Sequence, residues 1–239
     1  MTRAEGVDLL AFGPHPDDLE IGLGGTIARH SAAGQRVGLC DLTGGEMGSN
    51  GTVPERLAES ERARAVLGAI WRENLGWPDR GFSDDRSCLQ HASAFIRRHR
   101  PSVVAVPYWS DRHPDHVAAS EILTEAIFNA GLRRYKVDGE AWKVDWICYY
   151  FINDSAPPSF LVDVSDYYDI KRRALDCHAS QFTPPAPTGS VATRLNTPLF
   201  RQLIESRDAQ FGALGGVRWA EGFVVREPVL RNGLMKPPA

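Results

Sequence analysis

Val7-Asp8-Leu9-Leu10-Ala11-Phe12-Gly13-Pro14-His15-Pro16-Asp17-Asp18 is an apolar run of strand length that ends on a glycine and passes at once into proline, imidazole and carboxylate. That is the composition of a strand-to-helix junction. The same pattern returns downstream, where strand-like runs at 37–42 and 103–106 precede helical patterns at 54–67 and 114–130, as the first run precedes one at 21–33. Such alternation predicts parallel strands joined by crossover helices: an α/β fold whose mostly parallel sheet is covered on both faces. Gly34 and Gly131 follow the first and fourth helices, where a left-handed residue is expected.

A third helix is expected from Asp84 or Asp85 to His99, stopped by Pro101. Runs at 146–152 and 160–164 read as strands, and Ser165 as the N-cap of a helix through Ala179. Thr183-Pro184-Pro185-Ala186-Pro187-Thr188-Gly189 reads as a loop. A last helix at 197–211 and a strand at 222–225 are too little to fold alone, so one domain over 1–239 is expected, with a frayed tail at Lys236-Pro237-Pro238-Ala239.

With 239 residues, 43% of them hydrophobic, the chain can bury one large core. A net charge of -3 with scattered Lys and Arg leaves no basic footprint, so no nucleic-acid partner is expected. No apolar run approaches the roughly 18 residues of a membrane span, and the first residues lack a signal-peptide core. A cytoplasmic protein with no membrane partner is expected. Cys40, Cys88, Cys148 and Cys177 are far apart and form no Cys-x-x-Cys pair, so reduced, mostly buried thiols are expected.

In an open parallel sheet, ligands gather where loops leave the carboxyl ends of the strands. Two polar clusters fall there: Pro14-His15-Pro16-Asp17-Asp18, and Asp111-Arg112-His113-Pro114-Asp115-His116 after the run at 103–106. Either alone fits a capped turn, because Asp caps helices and Pro favours the first turn. Both at one edge call for a shared ligand. Two neutral imidazoles and a carboxylate leave an open position on Zn²⁺, and nearly the same set suits Fe²⁺. His15, Asp18 and His116 are therefore the candidate metal ligands. Bound Zn²⁺ lowers the pKa of water to about 7, but a carboxylate must still collect the proton, and Asp17 is placed for that. His113, if protonated, would face the charge that builds on an amide oxygen, with Asp115 holding its other nitrogen and raising its pKa.

Thr43-Gly44-Gly45-Glu46-Met47-Gly48-Ser49-Asn50-Gly51 is expected as a third wall of the cleft, its glycines allowing close approach of backbone to ligand. Within reach, Glu46 is a candidate acceptor for sugar hydroxyls, and Arg56 and Arg112 are candidate anion clamps. Solvation and structural ion pairing are the competing uses of these three. Gly22-x-Gly24-Gly25 misses the dinucleotide-binding spacing and lies inside a helical pattern, so it is expected to serve close helix packing.

The two His-Pro-Asp motifs together resemble the LmbE/PIG-L family of metal-dependent N-deacetylases. The resemblance extends to Thr43-Gly44-Gly45-Glu46-Met47-Gly48, to Arg56, Glu59 and Arg62, and to Cys177-His178-Ala179-Ser180-Gln181-Phe182. Glu205-Ser206-Arg207-Asp208 and Trp219-Ala220-Glu221-Gly222-Phe223 look like the bacillithiol-pathway branch, which deacetylates N-acetylglucosaminyl malate. The resemblance implies a Rossmann-like fold and Zn²⁺ on His15, Asp18 and His116. It further implies Asp17 as base and later acid, His113 at the oxyanion, Arg56 and Arg112 on the malate carboxylates, and a homo-oligomer, commonly a hexamer. Two other readings stay open: deacetylation of another N-acetylglucosamine derivative, such as an inositol conjugate or a chitin fragment, or a sugar-binding protein whose metal is structural.

Overall fold

Every residue of β1 (Leu9–Gly13) and β2 (Val37–Thr43) is buried, which is why both read as unbroken apolar runs. Their side chains alternate between two cores. Leu9, Ala11 and Leu39 face α1 (Asp18–Ala32), α2 (Val53–Leu67) and α5 (Tyr168–Cys177). Leu10, Phe12, Cys40 and Leu42 face α3 (Arg86–His99) and α4 (Pro114–Ala130). The computed structural model describes residues 6–83, 85–185 and 191–230. Asp84, the centre of the proline-rich loop and the expected frayed tail lie outside them.

With β3 (Trp71–Trp77), β4 (Val103–Pro107), β5 (Trp146–Tyr150), β6 (Phe160–Asp163) and β7 (Ala220–Val224), the sheet runs in the order β3-β2-β1-β4-β5-β7-β6. The first five strands are parallel; β7 runs antiparallel to both β5 and β6. β1 and β4 are hydrogen-bonded neighbours, Leu9 opposite Val103, yet the helices that follow them pack on opposite faces. Their carboxyl ends therefore open a crevice at the switch point of the sheet. The mostly parallel α/β sheet expected from the sequence is present.

Four local expectations need correction. β3 was not expected, because Trp71-Arg72-Glu73-Asn74 reads as polar; the Arg72 side chain is in fact buried against Glu20 and Asp41, at 2.6 and 2.7 Å. The helix expected from Ser165 through Ala179 is a 3₁₀ turn followed by α5, which stops where His178 leaves helical backbone; α6 (Ala179–Phe182) then starts afresh. That break lets Ser180 donate to Glu59 of α2 and Gln181 to the Asn50 carbonyl. Gly131 is right-handed, whereas Gly34 is left-handed as expected. The last helix, α7 (Pro198–Gly215), runs longer than its apolar pattern and ends on left-handed Gly216.

The glycines of α1 do serve packing. A Cβ on Gly22 would meet the Tyr150 ring at 2.2 Å, so only glycine fits. One residue later α1 kinks at Leu23, freeing backbone groups that need partners. Arg207 donates to Ile21 O at 2.7 Å, and Glu221 accepts from Gly25 N and Thr26 N at 3.0 and 2.7 Å. Lys171 joins Glu221 to Asp208 at 2.7 and 2.6 Å, with all three side chains fully buried. Cys40, Cys88, Cys148 and Cys177 are free thiols, the last half-buried. No helix among the described residues is long and apolar enough to cross a membrane.

Candidate metal centre and its cleft

Beyond Gly13 the turn is pinned to β2, where Thr43 donates to Pro14 O through both its N–H and its hydroxyl, at 3.1 and 3.0 Å. Asp17 caps α1 with φ of 129°, a conformation rarely adopted by a side-chain-bearing residue. Asp18, the first helical residue, accepts from His15 N at 2.8 Å. On the facing strand end, His113 caps α4 and Pro114 opens it, so His116 falls in the first turn. The two junctions meet on one atom. Asp18 Oδ2 lies 3.1 Å from His15 Nδ1 and 3.3 Å from His116 Nε2.

Each imidazole has a carboxylate on its other nitrogen as well. His116 Nδ1 sits 3.0 Å from Asp111; His15 Nε2 sits 3.3 Å from Asp79 and 3.4 Å from Asp115. Outer carboxylates of this kind fix the tautomer of a metal-binding histidine. Two imidazole nitrogens converging on a buried carboxylate fit a divalent cation of the zinc or iron class. His113 brings a third ring nitrogen within 4.8 Å of those of His15 and His116.

Charge is distributed accordingly. Burial opposes ionisation of Asp18, but His116 and His15 hold its carboxyl well below the usual range. Burial disfavours charge on His116 too, yet Asp18 and Asp111 carry it up to about 9. Asp17 differs: burial pushes it up to about 6, with the Arg56 guanidinium pulling the other way. Burial and the neighbouring His116 and His15 lower His113. This corrects the expected Asp115–His113 pairing. Asp115 does meet His113, but through its backbone N–H, which donates to Nδ1 at 3.2 Å. The Asp115 carboxylate is bound by the Arg80 side chain at 2.6 Å and its N–H at 2.9 Å. With Nδ1 accepting that bond, the ring proton of His113 belongs on Nε2.

The expected substrate contacts fall differently. Arg56 lines the cleft as expected, but it is buried and donates to Gly45 O at 2.8 Å and Pro16 O at 2.9 Å, with Asp17 at 3.4 Å. It holds the 14–18 turn against the glycine loop. Gly45 is left-handed, and a Cβ there would stand 1.9 Å from the Arg56 guanidinium. Glu46 is exposed and accepts from Asp79 N at 2.7 Å. Arg112 stands exposed at the cleft rim.

The cleft has a volume of about 530 Å³, within the range for small-ligand sites. His15, Asp17, Asp18, His113 and His116 line it, with Met47, Gly48 and Ser49 on one side and Ile152, Leu195 and Phe200 on another. Arg80, Arg112 and Arg194 also line it. A groove of equal volume beside Phe128 and Trp146 holds none of the metal-binding clusters found among the described residues. Asp79, Arg80, Asn153 and Arg194 had no expected role. Asn153 donates to Asp111 at 3.0 Å and accepts from Arg194 at 3.1 Å, linking the rim to the carboxylate behind His116. The one signal for Asp79 and Arg80 was the alternation of Trp71, Leu75 and Trp77 just before them.

A family model described as PIG-L, GlcNAc-PI de-N-acetylase, matches residues 10–127, which include both His-Pro-Asp motifs. The diacetylchitobiose deacetylase of Thermococcus kodakarensis is 30% identical over 229 residues, covering 90% of this chain and 81% of that protein. The chain belongs to the PIG-L family. A second relative, the 1D-myo-inositol 2-acetamido-2-deoxy-alpha-D-glucopyranoside deacetylase of Rhodococcus jostii, is 28% identical, covering 95% of this chain and 98% of its own. Among solved structures, the conserved protein TT1542 from Thermus thermophilus superposes with a TM-score of 0.87 at 39% identity, covering 97% of this chain and all of that one. The segments 205–208 and 219–223 lie outside the PIG-L match; there Arg207, Asp208 and Glu221 hold the kinked α1.

Proposed function

We propose that the chain removes the N-acetyl group from an N-acetylglucosamine derivative by metal-dependent hydrolysis, releasing acetate and a free amine. The observation that carries this reading is the convergence of His15 Nδ1 and His116 Nε2 on Asp18, with Asp17 beside them in one cleft. His15, Asp18 and His116 would hold Zn²⁺ or Fe²⁺. When bound, the ion supplies polarisation of the amide carbonyl and acidification of water. Asp17 takes the proton of the attacking water and returns it to the nitrogen as the C–N bond breaks, a role suited to a carboxyl titrating near neutrality. His113 Nε2–H donates to the oxygen that gains charge. A structural metal would leave Asp17 in the cleft without a use.

For the aglycone, the named substrates of the relatives favour a second sugar or an inositol. The malate conjugate is the second reading, favoured by Arg80, Arg112 and Arg194 around the cleft, where carboxylates would find partners. Primary-amine release from diacetylchitobiose, the inositol conjugate and the malate conjugate, each with and without chelator, tests both levels. Chelator-sensitive release from any of them supports the reaction, and the ranking assigns the aglycone. Failure on all three with metal-loaded protein would refute the proposal.

A further inference from the structure

We infer that Asp79 is a positioning residue that fixes the outer nitrogen of His15 and ties this ligand to the 44–51 wall of the cleft. β3 delivers Asp79 to the carboxyl edge of the sheet, where its side chain is almost wholly buried. Its Oδ1 lies 3.3 Å from His15 Nε2, and its Oδ2 accepts from Met47 N at 3.0 Å. Its own N–H donates to Glu46 at 2.7 Å. The Glu46 carboxylate and the Asp79 carboxylate thus each take a backbone N–H from the other's segment, a reciprocal clasp of the kind seen in a capping box.

Asp115 Oδ2 also lies near His15 Nε2, at 3.4 Å, but both Asp115 oxygens already bind Arg80. Asp79 Oδ1 is the nearer acceptor and takes no other hydrogen bond among the described residues. Accepting from Nε2–H leaves the Nδ1 lone pair directed at the metal side, which is how an outer carboxylate raises ligand basicity. The same side chain sets the position of Met47, so the wall and the ligand are held by one group. His15, Asp79 and Asp115 also bring one ligand atom each within 4.8 Å of one another. A second cation there is the competing explanation.

The inference rests on His15 being a metal ligand, and the experiment separates the two. Zn²⁺ affinity and stoichiometry are measured by competition with a chelating dye for wild type, Asp79→Asn, Glu46→Ala and His15→Ala, with circular dichroism confirming the fold. Asn at 79 can still accept from Met47 N but presents its amide to His15, so Zn²⁺ affinity is expected to fall about 10–100-fold at an unchanged stoichiometry of one. Glu46→Ala is expected to retain the affinity and to raise KM. Wild-type affinity in Asp79→Asn overturns the inference. So does an equal loss in Glu46→Ala, which would assign the effect to loop order. Two ions in wild type and one in Asp79→Asn would make Asp79 a ligand and overturn it as well. Unchanged binding in His15→Ala would refute the ligand reading itself.

Discussion

Asp17 carries a conflict between geometry and chemistry. A φ of 129° costs a residue with a side chain on the order of 1–3 kcal/mol, and the turn is held by Arg56 on Pro16 O and by Ile21 N on Asp17 O. Asp17→Gly is therefore expected to be more stable than Asp17→Ala by about 1 kcal/mol or more in urea unfolding, while both lose turnover alike. Asp17→Ala is expected to lose roughly 10²–10⁴-fold in turnover and keep its metal; wild-type turnover would remove Asp17 from the mechanism. Because burial raises Asp17 to about 6, its base form is lost as pH falls through that value. The acid limb of kcat/KM is expected there and should move upward in Arg56→Met, which deletes the opposing charge. A limb that stays fixed would detach Arg56 from Asp17. At this scale the His-Pro-Asp residues were legible because each motif is contiguous. Arg56 does line the cleft, but nothing in a helix-start arginine announces the carbonyls of Pro16 and Gly45 that it also reaches.

Among the elements, α1 depends on its partners more than on its own sequence. Its kink at Leu23 is bridged by Arg207 of α7 and Glu221 of β7. Glu221→Ala would strand the Lys171 ammonium on Asp208 alone and leave Gly25 N and Thr26 N without their acceptor. A loss of about 3–5 kcal/mol is expected, read as a lower urea midpoint; a midpoint unchanged within error would show that the network carries little. Most elements were legible from short apolar runs and from helix starts such as the one at Asp85, which caps α3. β3 was hidden because burial of Arg72 depends on Glu20 and Asp41, one in a helix and one in another strand. Asp79 and Arg80 were lost with it. The break at His178 was equally unreadable, since its purpose lies in Glu59 and Asn50.

Across the whole molecule, the switch between β1 and β4 brings the two motifs together, and the parallel order of the sheet is what the alternating sequence announced. Packing several carboxylates and imidazoles at one edge leaves charge that a cation would balance. Zn²⁺ at a thousandfold excess over Kd is expected to add about 4 kcal/mol of stability, seen as a raised Tm that chelator reverses. No shift would mean that the metal does not bind the folded site.

The insertion of β7 between β5 and β6 also has a consequence in time. The three proposed metal ligands, His15, Asp18 and His116, lie in the first half of the chain, but the residues that seat α1, Lys171, Arg207, Asp208 and Glu221, come much later. A nascent chain paused after His116 would hold these residues without the clamp on α1, the helix that begins at Asp18. Metal loading is therefore expected late in biogenesis, after the arrival of β7 in the sheet.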